Sequence, residues 1–251
     1  MNRPSSAPAR RLRWQPFLVV GLLIEAASVA MTILSGEAVH RSAEERAALL
    51  FERQVERGMV AARERLEKYE QGLLSGAALF HASRHVDRSE WGEYVGRLDL
   101  ERSFPGISGL GFIRRLPPGS IDDWVAEVRA TSAPEFEVTV LDAPHPEHRY
   151  VIDFIEPLAP NLPARGLDIG SEANRRAAAT ESMRTGETRI TNIITLVQDD
   201  ARKPGFLMLV PVYAGGGIPK TEAERRERCI GWSYAPFVGE ITMRGIADIV
   251  G

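Results

Sequence analysis

Three hydrophobic patterns divide the chain. The first is a continuous apolar run over residues 17–34, broken only by Gly21, Glu25, Ser28 and Thr32. It is close to the length that crosses a bilayer as a helix, and Arg3, Arg10, Arg11 and Arg13 precede it. The second runs over 37–85, has no proline and is dominated by Ala, Leu, Glu and Arg, which are good helix formers. Val39, Ala43, Leu50, Val55, Met59, Ala62, Leu66, Tyr69 and Leu73 recur there at spacings of three, four, five and seven. That is a helical face with irregular heptads. Residues 36–65 therefore read as a stalk helix that pairs with a second copy. From Leu66 onward Leu73, Leu74, Ala77 and Phe80 broaden the face, as a helix packed on its own domain requires. The third pattern, from residue 87 on, alternates short strands and short helices.

Within that third part, Trp91, Tyr94, Val95 and Leu98 predict a helix over 87–100, and a Pro/Gly turn at 103–111 opens a strand through Ile113. Ser120 caps a helix carrying Trp124, Val125 and Val128. Residues 136–141 and 150–155 read as strands, 157–163 as a loop, 229–234 as a last strand and 238–250 as a helix. The stretch 166–213 organises the rest. Ser171 is the expected N-cap and Gly186 the expected C-cap of a helix over 172–185. Arg175 and Arg176 near its start either hold an anion or pair with acids, Arg175 with Asp168 and Arg176 with Glu172. Residues 188–197 alternate as one strand covered on both faces. The strand 206–213 places Leu207, Leu209 and Tyr213 on one face and Phe206, Met208, Val210 and Val212 on the other.

This stretch resembles the CHASE domain, the extracellular sensory module of receptor histidine kinases and nucleotide cyclases. The pieces that carry the likeness are Gly166-Leu-Asp168, Ser171-Glu172, Arg175-Arg176-Ala177-Ala178, Arg184-Thr-Gly186, Ile190-Thr191, Leu196-Val197-Gln198 and Gly205-Phe206-Leu207 leading to Pro211-Val212-Tyr213. Phe104-Pro105-Gly106-Ile107, Gly111-Phe112-Ile113 and 150–157 add to it, so the likeness covers 66–246. The mixture of hairpins and crossovers suggests an α+β fold with a largely antiparallel sheet and helices on one side. The resemblance implies a long N-terminal transmembrane and stalk helix followed by tandem PAS-like subdomains with antiparallel sheets. It divides the chain into a cytoplasmic tail and membrane helix (1–35), a stalk (36–65) and a sensory domain (66–251). It also implies a small-molecule ligand, no cofactor and no catalysis by this segment, and a cytoplasmic kinase or cyclase output read through the membrane. The chain stops at Gly251, where a second membrane helix is expected.

In plant cytokinin receptors of this family an Asp near the helix start grips the purine. Arg175 stands at that place here, and Leu209 stands where a pocket threonine is found. The resemblance thus implies a ligand other than a cytokinin: a molecule with an acidic group and an apolar body, held by Arg175, Thr191, Val197, Leu209 and Tyr213.

Charge and composition narrow this only slightly. Lys plus Arg number 31 against 34 Asp plus Glu, so no basic field points to nucleic acid. The single cysteine, Cys229, makes neither an internal disulfide nor a metal cluster. The positive-inside rule places the N-terminus in the cytoplasm and the remainder outside the plasma membrane. His81 and His85 lie four apart on the predicted helix, and His145 and His148 share a proline-rich loop; ordinary surface roles are favoured over metal for both pairs. The glycines at 106, 109 and 111 lack dinucleotide-binding spacing. Two rival readings stay open: an anchored extracytoplasmic enzyme, for which Asp153, Glu156 and Asp168 are the acids to check, and an interaction module with no ligand.

Overall fold

The computed structural model describes residues 15–83, 85–144, 147–197 and 204–239. The expected helix over 238–250 lies outside the described residues apart from its first two positions. Two compact units are present, Met1–Glu56 and Arg57–Gly251. Helix α1, Gln15–Ala82, contributes residues to both.

The first unit is helical throughout its described part. Leu18–Glu37 has a mean hydropathy of 2.1 and is fully exposed, long and apolar enough to cross a membrane. Its hydroxyls are spent within the helix: Ser28 donates to the Ile24 carbonyl at 2.8 Å and Thr32 to that of Ser28 at 2.9 Å. Those polar side chains therefore add little penalty in an apolar medium. Farther along, Leu49, Leu50, Phe51 and Val55 are exposed large apolar residues.

The second unit begins inside α1. Next come α2 (Arg88–Leu98), α3 (Leu100–Ser103), β1 (Leu110–Leu116), α4 (Ile121–Thr131), β2 (Thr139–Val140) and β3 (Arg149–Glu156). A short helical turn α5 (Leu158–Asn161) leads through a 3-10 turn to β4 (Leu167–Asp168) and a second 3-10 turn, Ile169–Ser171. The chain closes with α6 (Ala173–Thr185), β5 (Arg189–Ile190), β6 (Ile194–Thr195), β7 (Pro204–Tyr213), α7 (Glu222–Arg228) and β8 (Cys229–Val238).

The strands form one sheet of eight in the order β2-β4-β3-β1-β8-β7-β5, with β6 also on β7. Every pair is antiparallel except β2 with β4. Tandem sheets were the expectation; one sheet results because β8 is long enough to pair with β1 on one edge and β7 on the other. Helices also cover both faces rather than one. On one side Tyr69, Leu73 and Ala77 of α1 and Trp91 and Val95 of α2 pack on Phe112, Phe154, Met208, Val210, Val212 and Phe237. On the other, Ala179 and Met183 of α6 pack with Ile113, Tyr150, Ile152, Leu207, Leu209, Tyr213, Trp232 and Tyr234. The two faces of β7 are those its alternation predicts. A third cluster joins α4 to Leu116, Phe136 and Val151.

Three bulges decide where side chains point. Along β3 the register steps at Asp153, between the pairs Phe112↔Phe154 and Ile113↔Ile152. On β8 it steps at Ile230, between Val212↔Gly231 and Tyr213↔Cys229. The expected strand over 188–197 is broken: Ile190 pairs with Met208 but Ile194 with Gly205, so one residue is extra. The break turns Ile193 outward, at 77% exposure, while Thr191, Ile194 and Leu196 stay buried. Only one side of this segment is therefore covered, since each extra residue reverses the alternation beyond it. The strand expected over 136–141 shrinks to Thr139–Val140. The loop at 157–163 folds into helical turns. Helix α1 ends at Ala82, so His85 lies beyond it and does not share a helical face with His81.

Candidate functional site

The layer between α6 and the sheet collects the residues that the sequence singled out. Its geometry starts at Asp168, fully buried on β4. Its carboxylate accepts from Arg149 Nε, from the Tyr150 amide at 2.9 Å and from the Gly170 amide at 3.0 Å. Asp168 therefore serves Arg149 and not Arg175. It fixes the 3-10 turn that precedes α6. Within that turn Ser171 is not the cap: its hydroxyl donates to the Asp168 carbonyl at 2.6 Å and accepts from the Leu141 amide at 2.9 Å. Glu172 is the N-cap, accepting from the amides of Asn174 at 2.8 Å and Arg175 at 3.0 Å. A carboxylate at this end also suits the helix dipole. Gly186 closes α6 at φ 80°, as a left-handed C-cap needs.

Arg175 is buried, and both ends of its fork are engaged. Nη2 donates to the Thr195 carbonyl at 2.7 Å, and Nη1 reaches Glu172 at 3.4 Å. Burial lowers its pKa, against the pull of Glu172 and Asp142. Arg176 donates to the Gly170 carbonyl at 2.6 Å rather than to Glu172. Both arginines tie the helix start to neighbouring backbone.

The other expected site residues lie near this helix or on the strands beneath it. Leu209 and Tyr213 are fully covered, and Val197 packs against the same cluster. The Thr191 hydroxyl accepts from the Leu207 amide at 3.0 Å. The Tyr213 hydroxyl donates to the Met183 carbonyl at 2.8 Å, and Ser182 donates to the Leu209 carbonyl at 3.3 Å, so β7 and α6 are laced together. Tyr213 also reaches the wall of a cavity of about 350 Å³ between α1 and β7, which Leu74, Ala77, His81 and Ile218 line as well.

Sequence reasoning missed the aromatic cluster on β8 and β3. Trp232 and Tyr150 meet with ring centroids 4.7 Å apart, and burial first of all raises the Tyr150 hydroxyl pKa, with Thr180 of α6 nearby pulling the other way. Tyr234 leans across β1: a Cβ at Gly111 would sit 2.4 Å from Tyr234 Cε1 and 3.0 Å from Cζ. Only glycine opposite admits that ring. Trp232 Nε1 and Tyr234 Oη are buried and meet no acceptor among the described residues. Burial in these apolar surroundings drives the Tyr234 pKa well up, keeping the hydroxyl protonated. Leaving a buried donor unmatched costs about 1–3 kcal/mol, so these two, together with Arg115 Nε on the same face, call for explanation. The alternation of Trp232 with Tyr234 was visible in the sequence; that their polar ends lack partners was not.

The acids considered for catalysis are each employed separately. Asp153, in its bulge, binds Arg114 at 2.7 Å and Arg88 at 3.4 Å. Glu156 accepts from the Leu158 amide at 2.9 Å. Among the described residues no three His, Cys, Asp or Glu gather as a metal site would need. His145 lies outside the described residues; His148 Nε2 stands 2.7 Å from Arg115 Nη2.

These residues sit on a single antiparallel-rich sheet covered by helices on both faces. Residues 84–249 match the CHASE domain model, and the chain belongs to that family. The CHASE domain is an extracellular, non-catalytic sensory module of signalling receptors. No curated protein matches the chain.

Proposed function

We propose that the chain is a membrane-anchored sensor that takes up a small molecule in the layer between α6 and the sheet and passes the event across the membrane. The observation that carries this reading is the pair of buried donors on β8, Trp232 Nε1 and Tyr234 Oη, unmatched in the layer that α6 covers. Arg175, Thr191, Val197, Leu209 and Tyr213 form the walls and the fastening of that layer. In this reading residues 1–35 are the cytoplasmic tail and the membrane helix, 36–65 a stalk that pairs with a second copy, and 66–251 the sensory domain on the periplasmic or outer side. The sheet then acts as one PAS-like unit rather than two. The output is a histidine kinase or cyclase activity on the cytoplasmic side.

Support for the anchor is the exposed apolar span Leu18–Glu37. Support for pairing is the exposed row Leu50, Phe51, Val55 and Met59 on α1, because such a face on a lone helix stays in water at a loss. Transmission needs only that the ligand favour one conformation over another.

The test is a thermal-shift screen of the full chain in detergent against a library of neutral and acidic small molecules. Binding at 100 times Kd adds about 2.7 kcal/mol, a rise of roughly 5–11 °C for a domain of this size. A library with no stabilising compound, or a hit that is chemically turned over, contradicts the sensor reading.

A further inference from the structure

We infer that Trp232 and Tyr234 are the residues that read the ligand, and that the ligand is an uncharged, flat and mainly apolar molecule carrying a hydrogen-bond acceptor such as a ketone or ring carbonyl. The inference rests on the sensor reading and adds the ligand's class.

The argument runs through donors and charge. An indole N–H only donates, and a phenol between apolar walls is most useful as a donor. Both groups are held on one side of β8, and neither has an acceptor among the described residues. What they lack is an acceptor, so the guest must bring one. The surroundings are apolar or aromatic: Ile113, Ile155, Leu209 and the Tyr150 ring, which already packs on Trp232. Aromatic walls of this kind favour a planar guest.

Charge argues against an anion. The one cation that the sequence suggested for an acidic ligand, Arg175, spends its guanidinium on Glu172 and the Thr195 carbonyl. Arg149 spends its Nε on Asp168, and Arg176 donates to Gly170. Arg115, opposite Tyr150 on the same face, spends Nη1 on the Cys229 carbonyl at 3.3 Å and Nη2 on His148 at 2.7 Å, which leaves only its buried Nε unmatched. A carboxylate here would be desolvated against little free counter-charge, an unfavourable arrangement. A neutral carbonyl carries no such penalty.

The test uses three probes of nearly one shape on the full chain in detergent: acetophenone as the neutral acceptor, ethylbenzene without an acceptor, and benzoate as the anion. Acetophenone is expected to raise the melting temperature most. In Tyr234→Phe and in Trp232→Phe its affinity is expected to fall about tenfold or more. Without any probe, Tyr234→Phe is expected to melt at or above the wild-type temperature, because the hydroxyl it removes has no partner to lose. A fall of several degrees in the probe-free variant overturns the inference, since it reveals a partner within the fold. So does tighter binding of benzoate, binding of none of the three, or an acetophenone response that both variants leave unchanged. A library compound that stabilises the chain but ignores both variants leaves the sensor reading standing and removes this one. A library without any stabilising compound removes the sensor reading itself.

Discussion

Replacing Asp168 by alanine removes the peg on which the start of α6 is built. The carboxylate is fully buried and accepts from Arg149 Nε and from the Tyr150 and Gly170 amides. Removing one partner of a buried ion pair costs about 3–5 kcal/mol. Arg149 keeps 20% side-chain exposure, so water relieves part of its loss. The two orphaned amides push the other way, at about 1–3 kcal/mol each when unsatisfied. The three losses share one carboxylate and do not simply add, which leaves a net of about 3–5 kcal/mol. For a unit of this size that is a drop of roughly 6–20 °C. Tryptophan fluorescence during heating reads it, because Trp91, Trp124 and Trp232 all lie in the second unit. Asp168→Asn retains one acceptor and is expected to lose less. A drop under 2 °C for the alanine variant would refute the claim that this carboxylate holds the turn ahead of α6.

Gly166→Ala is expected to prevent folding: φ is 84°, and the added Cβ would stand 1.9 Å from the Glu137 carbonyl oxygen; soluble yield and a melting curve check it. Burial pushes the Cys229 thiol up to about 12, so at pH 9 its thiolate fraction is about a thousandth, and alkylation by iodoacetamide should be at least a hundredfold slower in the folded chain than in denaturant; equal rates contradict that. Because this pKa is raised, its contribution to stability is whole below the unfolded thiol range and fades as the pH climbs toward 12. The exposed carboxylates run the opposite way. Hydrogen bonding from Arg184 holds Glu181 low, and Arg226 first and then Arg184 hold Glu222 low. Their contribution is present above the usual carboxylate range and disappears as the pH falls through the lowered values. Arg184→Met should therefore melt slightly below wild type at pH 7, and the gap should close on acidification below about pH 4; a gap that widens in acid contradicts the assignment.

What the sequence made legible was periodic. The alternation on β7 placed seven of its side chains correctly because a strand buried on both faces still obeys a strict two-residue period. The helix around Ala177–Ala179 was clear from propensity and from Gly186. Bulges escaped, since one extra residue at Asp153, at Ile230 or between Ile190 and Ile194 leaves no compositional mark yet reverses every side chain beyond it. Partnerships escaped for a related reason. Glu172 rather than Ser171 caps α6 because Asp168 draws Ser171 into the preceding turn. Arg175 and Arg176 could in one dimension hold an anion or pair with Asp168 and Glu172, but Thr195 of β6 and Gly170 of the 3-10 turn supply backbone acceptors to them. The unmatched hydroxyl of Tyr234 depends on Gly111, which lets the phenol ring cross β1.

The most direct measurement is a crystal structure of the full chain with the best stabilising compound from the screen. The account predicts that compound between α6 and β8, with an acceptor atom within about 3.2 Å of Tyr234 Oη or Trp232 Nε1. A compound seated instead in the cavity between α1 and β7, with both donors still unmatched, would contradict it.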